Sequence, residues 1–568
     1  MSTKASKIPL LSPASFASRD GKRLTPSAYV FLILLCIAFF IPGFATLPPT
    51  DRDESSFAQA SKQMIETGNY VDIRLKDKPR YKKPIGIYWL QSASVQLFNS
   101  QHLNEIWAYR IPSFVGATVA VVMTAALGSL LFGPMAGLLA AMMMAGCAVL
   151  NVEARLAKTD AALLGSIMVM QYALARAYLN KDMKWTVAAA FWTALAVGIL
   201  LKGPIILLVL FSTLAWLRLS HKNIKWFKSL MPLVGIPYLL ILVMPWFIAI
   251  ALQSQGAFIE QSAGQDMLAK IWHGQNRGIL LPGLHLLAFL AVFFPFSLFA
   301  LLAIPDTLKN YKKPAVQFCL GWIVPTWIIF ELSLTKLPHY TMPLYPAIAL
   351  LSAKALLDGY PVLAEKDRRW WVALVIGLWT MLGTAGTLGF ILLPLLTEQV
   401  WNIPQIIAGA ILILTQGACL FLLFQRKTSS VVVMTLGSLI FITCTIGITL
   451  PNLDHLWISR QAVQMAEKLS PCDDLHIVSA AYNEPSLIFL AGTDTVITVD
   501  GATAADELKQ NPCAVALIDA ERKPTFLSAF SIAEAHPVPM GKIEGLNSGH
   551  GKSSELTVYL LPHKPMQP

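Results

Sequence analysis

A chain of 568 residues that is 55% hydrophobic and only 14% charged, with a mean hydropathy of +0.57, carries more apolar surface than a water-soluble fold can bury. An ordinary soluble globular protein is thereby excluded, and a polytopic membrane protein is left. The net charge of +11 gives no case for nucleic acid, because lysine and arginine collect in the cytoplasmic loops of membrane proteins.

Apolar runs of the length an α-helix needs to cross a hydrocarbon core of about 30 Å recur along the chain, without the weak alternation of a closed barrel. The first, 28–47, follows a polar N-terminus. It is too long for a signal peptide and lacks a cleavage site, so it reads as a retained span. Further spans are expected at 110–131, 134–150, 161–179, 185–201, 204–217, 231–252, 283–304, 315–334, 340–356, 370–395, 404–424 and 431–450, about thirteen in all. Lys202-Gly203-Pro204 interrupts the run 185–217. Proline in a helix interior costs about 3 kcal/mol, so two short spans and a re-entrant hairpin both fit. Positive charge ahead of the first span and in alternate short loops (Lys181, Lys222, Lys309, Lys366, Arg426) marks one face as cytoplasmic, with the N-terminus there and the C-terminus outside. Cys36, Cys147, Cys319, Cys419 and Cys444 lie inside apolar runs and read as small core residues.

Residues 451–568 differ from the membrane domain, 1–450. Helix-like stretches at 459–469 and 502–510 and strand-like runs at 476–480, 495–499, 514–518 and 556–561 indicate a small α/β domain outside the membrane. It has no glycine-rich phosphate loop and no nucleophile elbow, so chemistry is expected elsewhere. Cys472 and Cys513, in Ser-Pro-Cys and Asn-Pro-Cys, each precede a strand-like run; a disulfide between them is expected, and that compartment permits one.

The chemistry is expected in the first outer loop, 51–109. It opens with the acidic pair Asp53 and Glu54 and continues to Arg74, Lys76, Lys78, Arg80, Lys82 and Lys83, a natural phosphate site. Thr50 to Gly68 reads as an amphipathic helix with Phe57, Ala60 and Met64 on one face and Gly68-Asn69 as its stop. Thr50-x-x-Asp53 resembles a capping box, which would make Asp53 structural; a catalytic carboxylate is the alternative. The loop is as basic as a cytoplasmic one. Either its length exempts it from the positive-inside rule or it meets an anionic ligand.

The order Asp-Glu, amphipathic helix, Gly-Asn-Tyr, basic stretch, Lys-Lys-Pro and Tyr-Trp resembles the first outer loop of GT-C membrane glycosyltransferases. It is nearest to bacterial 4-amino-4-deoxy-L-arabinose lipid A transferases, with protein O-mannosyltransferases more distant. The resemblance continues through Ala108-Tyr109-Arg110-Ile111-Pro112, Lys158-Thr159-Asp160, Leu201-Lys202-Gly203-Pro204, Met244-Pro245-Trp246 and Thr335-Lys336-Leu337-Pro338-His339-Tyr340, covering roughly residues 30–360. It implies a mainly α GT-C fold in a bacterial inner membrane, with the C-terminal domain in the periplasm and a sugar donor carried on polyprenyl phosphate. The implied acceptor is an envelope glycolipid such as lipid A, or a protein hydroxyl; nucleic acid is not a partner.

The resemblance also implies residue roles. Asp53 would be the base on the acceptor hydroxyl, inverting the anomeric centre, with Asp160 as a second catalytic acid group. Lys83 would hold the lipid phosphate, with Lys202, His273 and Arg277 as further donor contacts. Glu54, Arg80, Lys82, Tyr88, Lys336, His339 and Tyr340 would meet substrate. Plainer roles stand beside these: a helix cap for Asp160, snorkelling for Lys202, and interface anchoring for Lys336, His339 and Tyr340. One departure is plain. The family's Glu-Lys-Pro reads Lys82-Lys83-Pro84, so a glutamate that could help ligate a metal is absent; no cofactor is assigned and a divalent metal is left open. A flippase or transporter of lipid-linked sugars is the rival class. Such proteins often show inverted repeats, and none is visible here.

Overall fold

The computed structural model describes residues 16–562 except 19, 20, 22, 182, 263–282, 471, 473, 474, 512, 532–535, 548 and 550. Helices account for most of the chain up to Leu456, and a five-stranded sheet organises the remainder. Among the described residues, seven helices are long and apolar enough to cross a membrane: Trp107–Phe132, Trp185–Lys202, Pro232–Gln253, Pro314–Leu332, Lys366–Glu398, Ile403–Phe424 and Ser429–Asn452. Pro26–Phe40, Pro134–Gly146 and Ile205–His221 are shorter apolar helices. Proline stands in the first turn of several, including Pro134–Gly146, Pro232–Gln253 and Pro314–Leu332, where its missing N–H has no helical partner to lose.

Several expected spans take a more broken form. The first helix stops at Phe40, and 283–304 divides into Leu284–Val292 and Ser297–Lys309 around Pro295. The interruption at Lys202-Gly203-Pro204 separates two helices. Gly203 lies at φ +64, a conformation that costs glycine little and other residues more.

Small residues set one close helix crossing. At Gly116 an added Cβ would lie 2.6 Å from the carbonyl oxygen of Ala161, and at Gly165 it would lie 2.8 Å from the carbonyl oxygen of Gly116. The backbones of Trp107–Phe132 and Asp160–Tyr178 therefore touch, which is how membrane helices gain packing without a hydrophobic driving force between them. This crossing fixes the height of Asp160 against the first loop.

That loop folds as the helix Asp53–Thr67, a two-residue hairpin of β1 (Arg74–Leu75) and β2 (Lys78–Pro79), and the helix Gly86–Phe98. Gly68 ends the first helix in a left-handed conformation, and Phe57, Ala60 and Met64 are buried. The Thr50 and Asp53 capping box does not form. Arg52 occupies the N-cap without a side-chain bond, and Thr50 donates instead through its N–H and hydroxyl to Glu54 Oε2, at 2.8 and 2.9 Å.

In the C-terminal unit β3 (His476–Ala480), β4 (Val496–Thr498), β5 (Ala514–Asp519), β6 (Val538–Asn547) and β7 (Lys552–Leu560) lie in the order β4-β3-β5-β7-β6. β3 is parallel to β4 and β5, while β7 is antiparallel to β5 and β6. His476 pairs with Ala514, which brings the segments just before β3 and β5 together; Cys472 and Cys513 form a disulfide there, with Cα atoms 5.5 Å apart.

Replacing Gly116 by alanine should force the two backbones apart. We expect a loss of about 1–3 kcal/mol, the usual cost of overpacking. Thermal unfolding of the detergent-solubilised protein would show it, and an unchanged midpoint would contradict so close a crossing.

Candidate functional site

The site starts from a buried pair beneath it. Glu54 and Arg110 are both fully buried; Arg110 Nε donates to Glu54 Oε1 at 2.8 Å and Nη2 to Oε2 at 3.2 Å. The same guanidinium donates to the carbonyls of Phe44 and Leu47 at 2.8 Å and of Pro48 at 3.2 Å. Glu54 Oε1 also accepts from the Ala157 N–H at 3.0 Å. The pair thus joins the segment that follows the first helix, 44–50, the start of the loop helix and the segment before Asp160. Glu54 is therefore not a substrate contact: it has neither exposure nor spare lone pairs.

Asp53, its neighbour in sequence, faces outward at the start of the same helix. Its charge is felt by Lys158, the centre of a compact ionic group. Lys158 Nζ donates to Glu153 Oε1 at 3.0 Å, and Lys202 Nζ donates to Asp160 Oδ1 at 2.5 Å. His339 lies between the two pairs, with Nδ1 4.0 Å from Glu153 and Nε2 3.8 Å from Asp160. The Lys202 ammonium also sits 5.5 Å from the centre of the Tyr340 ring.

These groups tune one another. Burial alone would lower the Lys158 ammonium, but the carboxylates of Glu153, Asp160 and Asp53 outweigh it and hold the group above the ordinary lysine value. At His339 burial prevails over Asp160 and Glu153, with Lys158 and Lys202 adding to it, so the imidazole lies below its ordinary value and is neutral at neutral pH. The group thus combines an outward carboxylate able to accept a proton with two ammoniums able to face an anion.

Lys83 is half-buried in the turn after β2. Three residues on, Gly86 packs against the end of Trp185–Lys202, where an added Cβ would lie 2.7 Å from the carbonyl carbon of Leu200. The Lys83 turn is thereby held beside the helix end that carries Lys202. Ile85, Ala162 and Leu201, close in sequence to Lys83, Asp160 and Lys202, belong to one apolar cluster with Phe57, Trp246 and Phe258.

Other expected residues are placed elsewhere. Tyr88 is fully buried and its hydroxyl accepts from Arg80 Nη1 at 3.1 Å, while the Arg80 guanidinium stacks 4.7 Å from the Phe57 ring centre. Both pack the loop against its floor rather than face substrate. Lys336 turns to Glu331 at 2.8 Å, in a separate cluster with His285. Lys82 is exposed on the loop surface. His273 and Arg277 lie outside the described residues. Glu153 was not anticipated; its Oε2 is buried, has no hydrogen-bond partner among the described residues and adjoins the ionic group. The only sequence signal was its position in the polar stretch before Asp160.

Among the described residues no metal-binding donor set is formed. Glu153 and Asp160 are engaged by ammoniums, Lys82 replaces the glutamate, and no three His, Cys, Asp or Glu residues among those described are arranged to hold an ion.

Residues 82–248 match the family model described as dolichyl-phosphate-mannose-protein mannosyltransferase. The chain is 25% identical over 357 residues to undecaprenyl phosphate-alpha-4-amino-4-deoxy-L-arabinose arabinosyl transferase 1 of Pseudomonas fluorescens, a match covering 58% of this chain and 60% of that protein. With the corresponding transferase of Serratia proteamaculans it shares 25% identity over 409 residues, 68% of this chain and 69% of that protein. The match thus spans about three fifths of the first relative's length. Among solved structures, ArnT from Cupriavidus metallidurans bound to undecaprenyl phosphate superposes with a TM-score of 0.71 at 16% identity, covering 94% of this chain and 98% of that one. The archaeal oligosaccharyltransferase AglB from Archaeoglobus fulgidus gives 0.51 at 11% identity, covering 88% and 69%. At these identities the structural matches establish the fold.

Removing the Glu54 carboxylate should strand the buried Arg110 charge. Glu54→Ala is expected to cost about 3–5 kcal/mol, whereas Lys82→Ala on the loop surface should stay within about 0.5 kcal/mol. Chemical denaturation in detergent compares the two, and equal midpoints would contradict the buried pair.

Proposed function

We propose that this chain, a member of the GT-C membrane glycosyltransferase family, moves a sugar from a polyprenyl-phosphate carrier to an envelope glycolipid at the outer face of a bacterial inner membrane. The observation that carries this reading is the gathering of Asp53, Lys158, Glu153, Asp160, Lys202 and His339 at one end of the bundle, with the Lys83 turn beside them. These residues come from segments far apart in sequence. The same reading places the N-terminus in the cytoplasm and divides the chain into a membrane domain, 1–450, and a periplasmic α/β domain, 451–568.

In this mechanism Asp53 accepts the proton of an acceptor hydroxyl as its oxygen attacks the anomeric carbon; a positioned base of this kind supplies about 10² to 10⁴ in rate. The bond from the anomeric carbon to the phosphate oxygen breaks, and the lipid phosphate leaves with the electron pair. Attack opposite the leaving group inverts the centre. Lys83 stabilises the charge gained by the phosphate, and Lys202 assists with the ammonium donors that Asp160 does not take. Asp160 accordingly orients Lys202. Glu153 Oε2 accepts from a hydroxyl or amino group of the donor sugar.

The similarity to aminoarabinose transferases supports a lipid A-type acceptor. The family model named for protein mannosylation supports a second reading, a protein hydroxyl. Mass spectrometry of envelope lipids and glycoproteins from cells with and without the protein separates them by which class carries a sugar-sized mass difference.

Asp53→Asn should remain folded and membrane-inserted while losing nearly all transfer from a labelled polyprenyl-phosphate sugar in detergent; near-normal turnover would remove Asp53 from its role. Lys83→Ala should raise the donor KM more than the acceptor KM, and an acceptor-only defect would refute the phosphate contact.

A further inference from the structure

The residue before Asp53 has an unusual backbone. Arg52 lies at φ +63 and ψ −98, a region that costs a non-glycine residue on the order of 1–3 kcal/mol and persists only where its surroundings impose it. On one side the constraint is Glu54, held by Arg110, Thr50 and Ala157. On the other it is Asp51, held by the C-terminal unit.

Ser486 Oγ donates to Asp51 Oδ1. Ser486 Oγ is 2.6 Å from Ser459 Oγ, and Ser459 Oγ is 2.8 Å from the Tyr482 hydroxyl. Each hydroxyl has one proton to give, which sets the direction. Ser486 gives its proton to the carboxylate and accepts from Ser459; Ser459 therefore accepts from Tyr482. All three are buried and come from different parts of the unit: the helix Ile458–Leu469, the turn after β3 and the helix Pro485–Ala491. The turn is itself held in place, since Ala481 lies at φ +69 and Ser479 Oγ donates to the Tyr482 carbonyl at 2.7 Å. Further along the loop helix, Gln59 Nε2 donates to Thr493 Oγ1 and Thr493 Oγ1 to Glu66 Oε2, both at 2.7 Å, while Lys76 donates to the Thr495 carbonyl.

We propose that the C-terminal unit aims the catalytic loop: the donor chain from Tyr482 through Ser459 and Ser486 grips Asp51, and with Glu54 it imposes the Arg52 backbone from which Asp53 projects. Ser486, Ser459 and Tyr482 are positioning residues, and the unit is part of the transferase machinery rather than an appendage. The inference rests on the proposed function for its kinetic consequence, though not for its structural one.

The test uses the full-length protein in detergent, as Ser486→Ala and Ser486→Thr. Threonine keeps the hydroxyl. In Ser486→Ala, kcat should fall about tenfold, since small misplacement of a catalytic group carries losses of that order, with donor and acceptor KM nearly unchanged; Ser486→Thr should recover most of it. Hydrogen exchange gives a second readout. Amides of residues 51–57 should exchange about tenfold faster in Ser486→Ala, while β3 and β5 keep their protection. Unchanged exchange at 51–57, faster exchange throughout the C-terminal unit, or alanine and threonine variants that behave alike would each overturn the proposal. If the unsubstituted protein transfers no sugar, the functional reading fails, and the exchange comparison still decides whether Ser486 holds the loop.

Discussion

The interaction on which the rest depends is the ion pair of Glu54 and Arg110. Two charges removed from water carry a desolvation penalty of several kcal/mol each, and their attraction repays it only if the remaining donors and acceptors are also satisfied. Here they are: the Arg110 guanidinium spends its donors on three backbone carbonyls and Glu54, while Glu54 accepts from Arg110, Thr50 and the Ala157 N–H. Such completeness makes the pair a register device. It ties the segment that follows the first helix, the loop helix and the segment before Asp160 to one another, and the residue next to Glu54 is the outward-facing Asp53.

Above this pair the charges are arranged differently. Buried Lys158, Glu153 and Asp160 and the part-buried Lys202 form partners that are not saturated, with a neutral histidine between them and one Glu153 oxygen unmatched among the described residues. In a low-dielectric setting an unmatched oxygen costs about 1–3 kcal/mol, so a bound group able to donate to it gains correspondingly. The contrast between a saturated pair below and an unsaturated group above separates scaffold from site. It also accompanies the unlike placement of Glu54 and Asp53, adjacent in sequence, the first buried and the second exposed.

Much of the architecture was legible in the sequence because apolar run length reports directly on helices. The loop helix was equally plain, since Phe57, Ala60 and Met64 recur at helical spacing and Gly68 follows. What escaped had physical reasons. Glu54 looked like a site residue because a sequence shows charge and not burial; only the arrival of Arg110 from a distant helix makes it structural. The strand β6 was missed because Pro539, Gly541 and Gly545 interrupt its alternation, and pairing along β7 holds it instead. Asp160, Lys202 and His339 were recognised one by one, yet their union depends on helix crossings such as that at Gly116, which no local pattern encodes. Glu153 had no partner nearby in sequence except Lys158, whose alignment needs the turn between them.

The placement of the ionic group constrains how a donor reaches it. Its members lie at helix ends or in connecting segments rather than mid-helix, because an unpaired charge in hydrocarbon is costly. An apolar core cluster is built from the loop helix, the segment around Ile85 and the helices carrying Ala162, Leu201 and Trp246, so charged and apolar side chains adjoin within a few residues at Asp160–Ala162 and Leu201–Lys202. Under the proposed function this junction suits an amphiphilic donor: the phosphate needs the lysines and the polyprenyl tail needs hydrocarbon, and the two requirements meet within one substrate only at such a boundary. The acceptor hydroxyl must then approach from the side of Asp53, the one carboxylate of the group that faces outward. The C-terminal unit bonds Asp51, two residues before Asp53, so under the same reading it lies beside the carboxylate that the acceptor must reach.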